Sequence, residues 1–162
     1  MPLSSITYIS RAAEVRGERR HMFLDGLVKE ADRNNAPLGV AGCLILVDDF
    51  FIQVLEGARG PISETYARIM VDDRHSDIHI VGAGPLVMRR FPASGLAAFD
   101  INSATNPVFS KYKVRPEFCP YQMAPHALAD LIEQIALVCA KLDTSNRRRT
   151  AETPEAAQAA LA

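Results

Sequence analysis

No excess of charge, no cysteine pairing and no long apolar run mark this chain of 162 residues. Its 18 Lys and Arg nearly balance 19 Asp and Glu, so no overall field draws it to nucleic acid or to an anionic membrane surface. The three cysteines, Cys43, Cys119 and Cys139, are odd in number and far apart, and none forms a CxxC pair. That usage argues against a disulfide framework and against a zinc site, and makes a reducing cytoplasm the simplest setting. No apolar stretch reaches the roughly 18–20 residues that span a bilayer, and MPLSSITYIS lacks the basic and apolar regions of a secretion signal. The expectation is a soluble protein with no bound metal, built as one domain of ordinary size plus an appendage.

What is present centres on Gly39 to Gly57, GVAGCLILVDDFFIQVLEG. Two apolar runs joined by Asp48-Asp49 read as a β-hairpin, and their near-continuous hydrophobicity places it in the middle of a covered sheet. Gln53 interrupts the second run. An interior amide left unsatisfied costs roughly 1–3 kcal/mol, so Gln53 must have partners.

Around this hairpin, alternation over Leu3 to Ser10 predicts a first strand with Ile6 and Tyr8 on one face. Leu24, Leu27, Val28 and Ala31 form the apolar stripe of a helix that ends at Asn34-Asn35-Ala36-Pro37. A second helix opens at Gly60-Pro61, with Ile62, Tyr66, Ile69 and Met70 on one face, and ends near Asp72. A strand from Asp77 to Met88 is expected to become irregular near Gly84-Pro85, and a last strand runs from Gly95 to Ile101. The order is that of a ferredoxin-like α+β sandwich, β-α-β-β-α-β with an extra strand and two helices on one sheet face. From Asn106 the chain changes character. Only Ala127 to Leu142 reads as a helix, with Leu128, Leu131, Ile132, Ile135 and Leu142 in one stripe that needs a surface to cover it. Residues 144–162, including Arg147-Arg148-Arg149, lack apolar periodicity and read as a mobile tail.

Taken singly, the polar residues have ordinary explanations. A strand tyrosine such as Tyr8 is core, Gln53 can tie two backbones together, and Asn34-Asn35 terminates a helix. Asp72-Asp73-Arg74-His75 reads as a solvated helix end. His75 and His79 lie on a loop-to-strand segment where a spacing of four does not bring two imidazoles together, so metal binding is not expected. Gly82-Ala83-Gly84 is too short for a dinucleotide fingerprint.

Taken together, ITYIS, RNNAPLGVAGCLIL, FFIQVLEG, ISETYARIMVDDRHSDI and the RRF connector occur in an order and spacing that resembles a BLUF domain, the flavin-binding blue-light sensor module. The resemblance covers about residues 3–102. It implies a non-enzymatic photoreceptor in which an isoalloxazine ring lies between the two helices on the sheet. Tyr8 matches the family's photoactive tyrosine and Gln53 its switching glutamine. Asn35 matches the asparagine that bonds the ring's carbonyl and N3 edge, with Asn34 at a neighbouring contact. Arg74 and His75 match residues near the ring and the ribityl or phosphate side. FAD is the implied cofactor, with FMN or riboflavin compatible with the same ring contacts.

Two positions depart from the pattern. Ser94 stands where the family often has tryptophan, and Leu96 where methionine is usual. The chain contains no tryptophan, so Tyr8 is the one readily oxidised side chain that the resemblance puts beside the flavin. Ser94 and Leu96 are then the candidates for signal output. The implied layout is a flavin-binding domain over 1–105, a helical cap or dimerisation segment over 106–143 and the tail over 144–162. It suits a short stand-alone receptor that forms a homodimer or larger oligomer and signals to a separate protein. The competing readings are a flavin-dependent redox enzyme and a ferredoxin-like interaction module without flavin.

Overall fold

The computed structural model describes residues 2–14, 19–91, 95–112 and 117–137. Ser94, Cys139, Leu142 and the expected tail at 144–162 lie outside the described residues.

The hairpin is the interior of a five-stranded sheet. Strands β2 (Ala41–Val47) and β3 (Phe50–Ala58) are buried almost throughout, as runs rich in β-branched and aromatic residues should be when both faces are covered. Asp48 makes the turn at a φ of 51°, and its carboxylate accepts bonds from the backbone N–H and the hydroxyl of Ser103 at 3.0 and 2.6 Å. Strand β1 (Leu3–Ala12) pairs antiparallel with β3, and this register sets Tyr8 directly opposite Gln53. Strand β4 (His75–Leu86) lines the other side of β1, and β5 (Leu96–Ile101) runs parallel to β2, giving the order β4-β1-β3-β2-β5. The α+β ferredoxin-like class is therefore the observed one.

One expectation changes. The fourth strand passes through Pro85, which pairs with Ser4, and the register shifts occur instead between Thr7 and Tyr8 and between Ile9 and Arg11. β4 is an edge strand, where half of the N–H groups point away from the sheet, so proline removes no ladder bond that the sheet needs.

Side chains alternate between the two faces of each strand. On one face, α2 (Arg59–Ile69) buries Ile62 against Ile6, Val40 and Leu55. On the same face, α1 (Arg19–Asn35) buries Leu24 against Leu44, Leu46 and Phe51. These are two separate apolar clusters, so the helices stand apart and leave part of the sheet between them uncovered. Only Leu24 of the α1 stripe is buried, because Leu27 and Ala31 face that gap. Met70, expected on the covered face of the second helix, is 47% exposed. It sits at the helix end, beyond the last turn that touches the sheet.

Helix α1 is tied to β5 at both ends. Arg20 forms an ion pair with Asp100 at 2.7 Å and donates to the Asp48 carbonyl at 2.8 Å. Near the other end, Asp32 accepts from the backbone N–H of Leu96 at 3.2 Å.

The opposite face carries Ile9, Cys43, Ile45, Val47, Phe50, Ile52 and Val54, and Phe109, Tyr112, Phe118 and side chains of the helix over 125–137 pack against it. A short helix α3 (Pro107–Ser110) supplies Phe109. Helix α4, over 125–137, supplies Leu128, Leu131, Ile132 and Ile135 from the expected stripe. Each fully buried side chain of this size contributes about 1.5–3 kcal/mol, which is why a lone amphipathic helix settles on the sheet.

Candidate functional site

The gap between α1 and α2 is an open cleft lined by both helices and the sheet. Its floor is the sheet, through Tyr8, Leu44, Phe51 and Gln53. Leu27, Ala31, Asn34 and Asn35 line it from α1, and Thr65, Arg68 and Ile69 from α2. Asp72, Arg74 and His75 close one end, and Leu96 reaches it from β5.

At the centre of the floor, the Tyr8 hydroxyl donates a hydrogen bond to Oε1 of Gln53. Both residues are buried, at 2% and 6% exposure. The bond follows from the β1–β3 register, which holds the two side chains on adjacent strands and on one face. Burial pushes the Tyr8 phenol well above the ordinary tyrosine value, and the nearby Tyr66 and Asp72 push it in the same direction. Tyr8 is thus a neutral donor throughout the physiological range. Its ring packs at a tilt against Tyr66 and His75, with centroids 5.6 and 6.0 Å away.

His75 is fixed by two contacts. Its Nε2 lies 2.8 Å from the Ile69 carbonyl oxygen and its Nδ1 lies 2.8 Å from the Ser10 hydroxyl. A carbonyl can only accept, so Nε2 carries a proton. In the neutral ring Nδ1 is then the acceptor, and Ser10 donates to it.

Arg74 is held by carboxylates from both sides. It bonds Asp72 through Nε and Nη2 and Glu30 of α1 through Nη1 at 2.8 Å. Hydrogen bonds from Arg74 hold the Asp72 carboxyl below the usual range, although burial works against this. The same bonds, from Asp72 first and Glu30 second, keep Arg74 firmly cationic. Further along, Arg68 Nη2 donates to Asn35 Oδ1 at 3.3 Å and to Thr65 Oγ1 at 3.1 Å, so a second polar bridge spans the two helices.

The structure brings Tyr8, Asn34, Asn35, Gln53, Arg74, His75 and Leu96 to one cleft. The Asp72 to His75 segment is part of its wall rather than a solvated helix end. Sequence reasoning missed Glu30, Thr65 and Arg68 at this site. Thr65, Arg68 and Ile69 follow i, i+3 and i+4 on α2, a helical face that mixes polar and apolar residues, and that mixture is the signal which an apolar stripe count overlooks. Among the described residues no group of three or more His, Cys, Asp or Glu is placed to hold a metal ion, and no helix is long and apolar enough to cross a membrane.

The comparisons with known proteins agree on one family. Residues 3–97 match the family model of BLUF, sensors of blue-light using FAD. The chain is 28% identical over 142 residues to the photoactivated adenylate cyclase subunit beta of Euglena longa, an overlap of 88% of this chain and 14% of that protein. Its fold matches the dark-state structure of the BLUF protein BlrB with a TM-score of 0.66 at 24% identity, over 85% of this chain and 97% of that one. It also matches the photo-activated state of BlsA with a TM-score of 0.71 at 21% identity, over 83% and 94% of the two chains. The chain therefore spans a small part of the cyclase subunit and nearly the whole of the two compact structures. With the family match covering more than half of its length, the chain belongs to the BLUF family of flavin-using blue-light sensors.

Proposed function

We propose that this protein is a non-enzymatic blue-light receptor that holds a flavin in the α1–α2 cleft and switches through Tyr8 and Gln53. The observation that carries the reading is the Tyr8–Gln53 hydrogen bond on the floor of the α1–α2 cleft. The lining suits a flat heteroaromatic ring with one polar edge. Leu27, Leu44 and Ile69 offer apolar contact, while Asn34, Asn35 and Gln53 offer amide donors and acceptors. With Oε1 engaged by the phenol, the N–H donors of Gln53 are what it offers to a ligand.

A bound flavin supplies blue-light absorption and an excited state able to take up an electron. Tyr8 would be the donor of that electron and then of its hydroxyl proton, which already points at Gln53. Once both the electron and the proton had returned to Tyr8, the Gln53 amide would be left rotated or tautomerised. An amide can do this because donor and acceptor sit on one rotatable group, so two arrangements differ in bonding but hardly in shape. The energy gap between them is small enough for a population shift to constitute a signal. Asn34 and Asn35 orient the ring edge, and Arg74 and His75 hold the ribityl or phosphate side. FAD is the preferred flavin, the red-shifted state is passed to a separate partner protein, and the setting is the cytoplasm.

The test is the visible spectrum of the purified, flavin-loaded protein before and after blue light. Flavin bands that move reversibly to longer wavelength are expected. Tyr8→Phe should retain flavin and lose the shift; a shift that persists in this variant would remove Tyr8 from the mechanism. A protein that cannot be loaded with any flavin would leave an interaction module instead.

A further inference from the structure

The sheet face opposite the cleft carries a buried charge in an apolar setting. Alternation along β3 turns Gln53 toward the cleft and Glu56, three positions on, toward α4. Glu56 is wholly buried. Its Oε1 accepts from Arg90 Nε at 2.8 Å, and its Oε2 accepts from the backbone N–H groups of Arg90 and Phe91 at 2.9 and 3.4 Å. Arg89 adds bonds to the Glu56 and Gly39 carbonyl oxygens at 2.8 and 2.6 Å. Segment 89–91 is thus fastened to the β2–β3 hairpin rather than to the edge strand it has just left.

From that anchorage Arg90 reaches α4, where its Nη1 lies 3.1 Å from Glu133 Oε1. The two arms are unequal. Glu56 is sealed from water, whereas the Glu133 side chain is 56% exposed, and water readily replaces a partner that is already solvated. One guanidinium therefore has a fixed arm on the sheet and a releasable arm on the helix. Among the described residues it is the one ion-paired connection between β3 and α4.

We propose that the Glu56–Arg90–Glu133 chain carries a hydrogen-bond change at Gln53 to the C-terminal helix. Glu56 acts as a positioning residue, moving Arg90 with β3, and the contact with Glu133 is made or released in response. The inference rests on the light-sensing reading above, which its test keeps separate.

Hydrogen exchange over 125–137 is measured on the flavin-loaded full chain in darkness and under blue light, with the flavin spectrum recorded on the same samples. Four proteins are compared: the parent, Glu133→Gln, Arg90→Lys and, as a control, Asp130→Asn. Lysine retains the charge but has a single terminal nitrogen and cannot hold both carboxylates in this geometry. Asp130→Asn removes the ion pair that α4 makes with Lys111 at 3.1 Å. The expected result is a light-induced change in exchange in the parent and the control, lost in Glu133→Gln and Arg90→Lys, with the red shift of full size in all four. Persistence of the change in either of those variants overturns the proposal, as does its absence from a parent that shows the full red shift. A parent without a red shift sinks the light-sensing reading itself, and the spectrum alone identifies that failure.

Discussion

Replacing Glu56 by alanine tests whether the buried carboxylate anchors the 89–91 connector. The substitution strips the acceptor from three donors, Arg90 Nε and the backbone N–H groups of Arg90 and Phe91. Phe91 is 3% exposed, so water cannot simply take the place of the lost oxygen. Removing one partner of a buried ion pair costs about 3–5 kcal/mol. The Arg90 side chain is 23% exposed and retains Glu133, which places the loss at the lower end, about 3 kcal/mol. For a chain of this length that corresponds to a melting temperature lower by about 6–12 °C. Glu56→Gln keeps the shape and one acceptor but turns an NH₂ group toward a donor, for a loss of about 1–2 kcal/mol. Urea melts followed by circular dichroism give both values from the shift in midpoint, provided the slope is unchanged. A Glu56→Ala protein within about 1 kcal/mol of the parent would refute the buried-charge reasoning.

Gly42→Ala should be far more damaging than its size suggests, because the added Cβ would lie 1.8 Å from the Val54 carbonyl oxygen on the paired strand. The obstruction is β3 backbone, which cannot yield as a side chain would, so the loss should exceed about 3 kcal/mol; an alanine variant that melts like the parent would show that the β2–β3 pairing is looser than this contact requires. Titration separates two groups by sign. An unfolded tyrosine gives up its proton near pH 10 while folded Tyr8 keeps it, so the unfolded state binds fewer protons and stability should fall as pH rises beyond that point. Asp72 acts in the other direction, stabilising above its ordinary value of 3.8 and losing that contribution as pH falls through its lower folded value. Between about pH 6 and 9 the amplitude of the light-induced shift should be flat with respect to Tyr8, and a step there in flavin absorbance would contradict a neutral, buried phenol.

The hairpin, the two helices and the sandwich were legible because their apolar periods are long and consistent with burial. Tyr8 and Gln53 were legible as candidates because a polar group in an apolar run demands a partner, but only the β1–β3 register shows that each is the other's. Arg68 and Glu30 escaped attention because an exposed helical charge looks the same in sequence whether it faces water or a cleft. Leu27 and Ala31 show the converse, an apolar stripe that stays partly exposed because the surface it faces is the cleft rather than the sheet. Glu56 was visible as a carboxylate closing the QVLEG run, yet its partners come from residues 33 to 35 positions later, a distance across which local pattern carries no information. The straight course of β4 through Pro85 depended on its place at the sheet edge, which is a property of topology rather than of the segment.

The ties at the two ends of α1 have a mechanical consequence. With Arg20 bound to Asp100 and Asp32 bound to Leu96, α1 behaves as a beam pinned at both supports rather than as a hinged lid. Any widening of the cleft must therefore fall on α2 and the turn that follows it, which meet α1 through the Asn35–Arg68 and Glu30–Arg74 bridges. Those two crossbars set how far the mouth can spread. Because Asp32 grips the first residue of β5, any load that a guest places on α1 is passed directly to the edge strand beside β2.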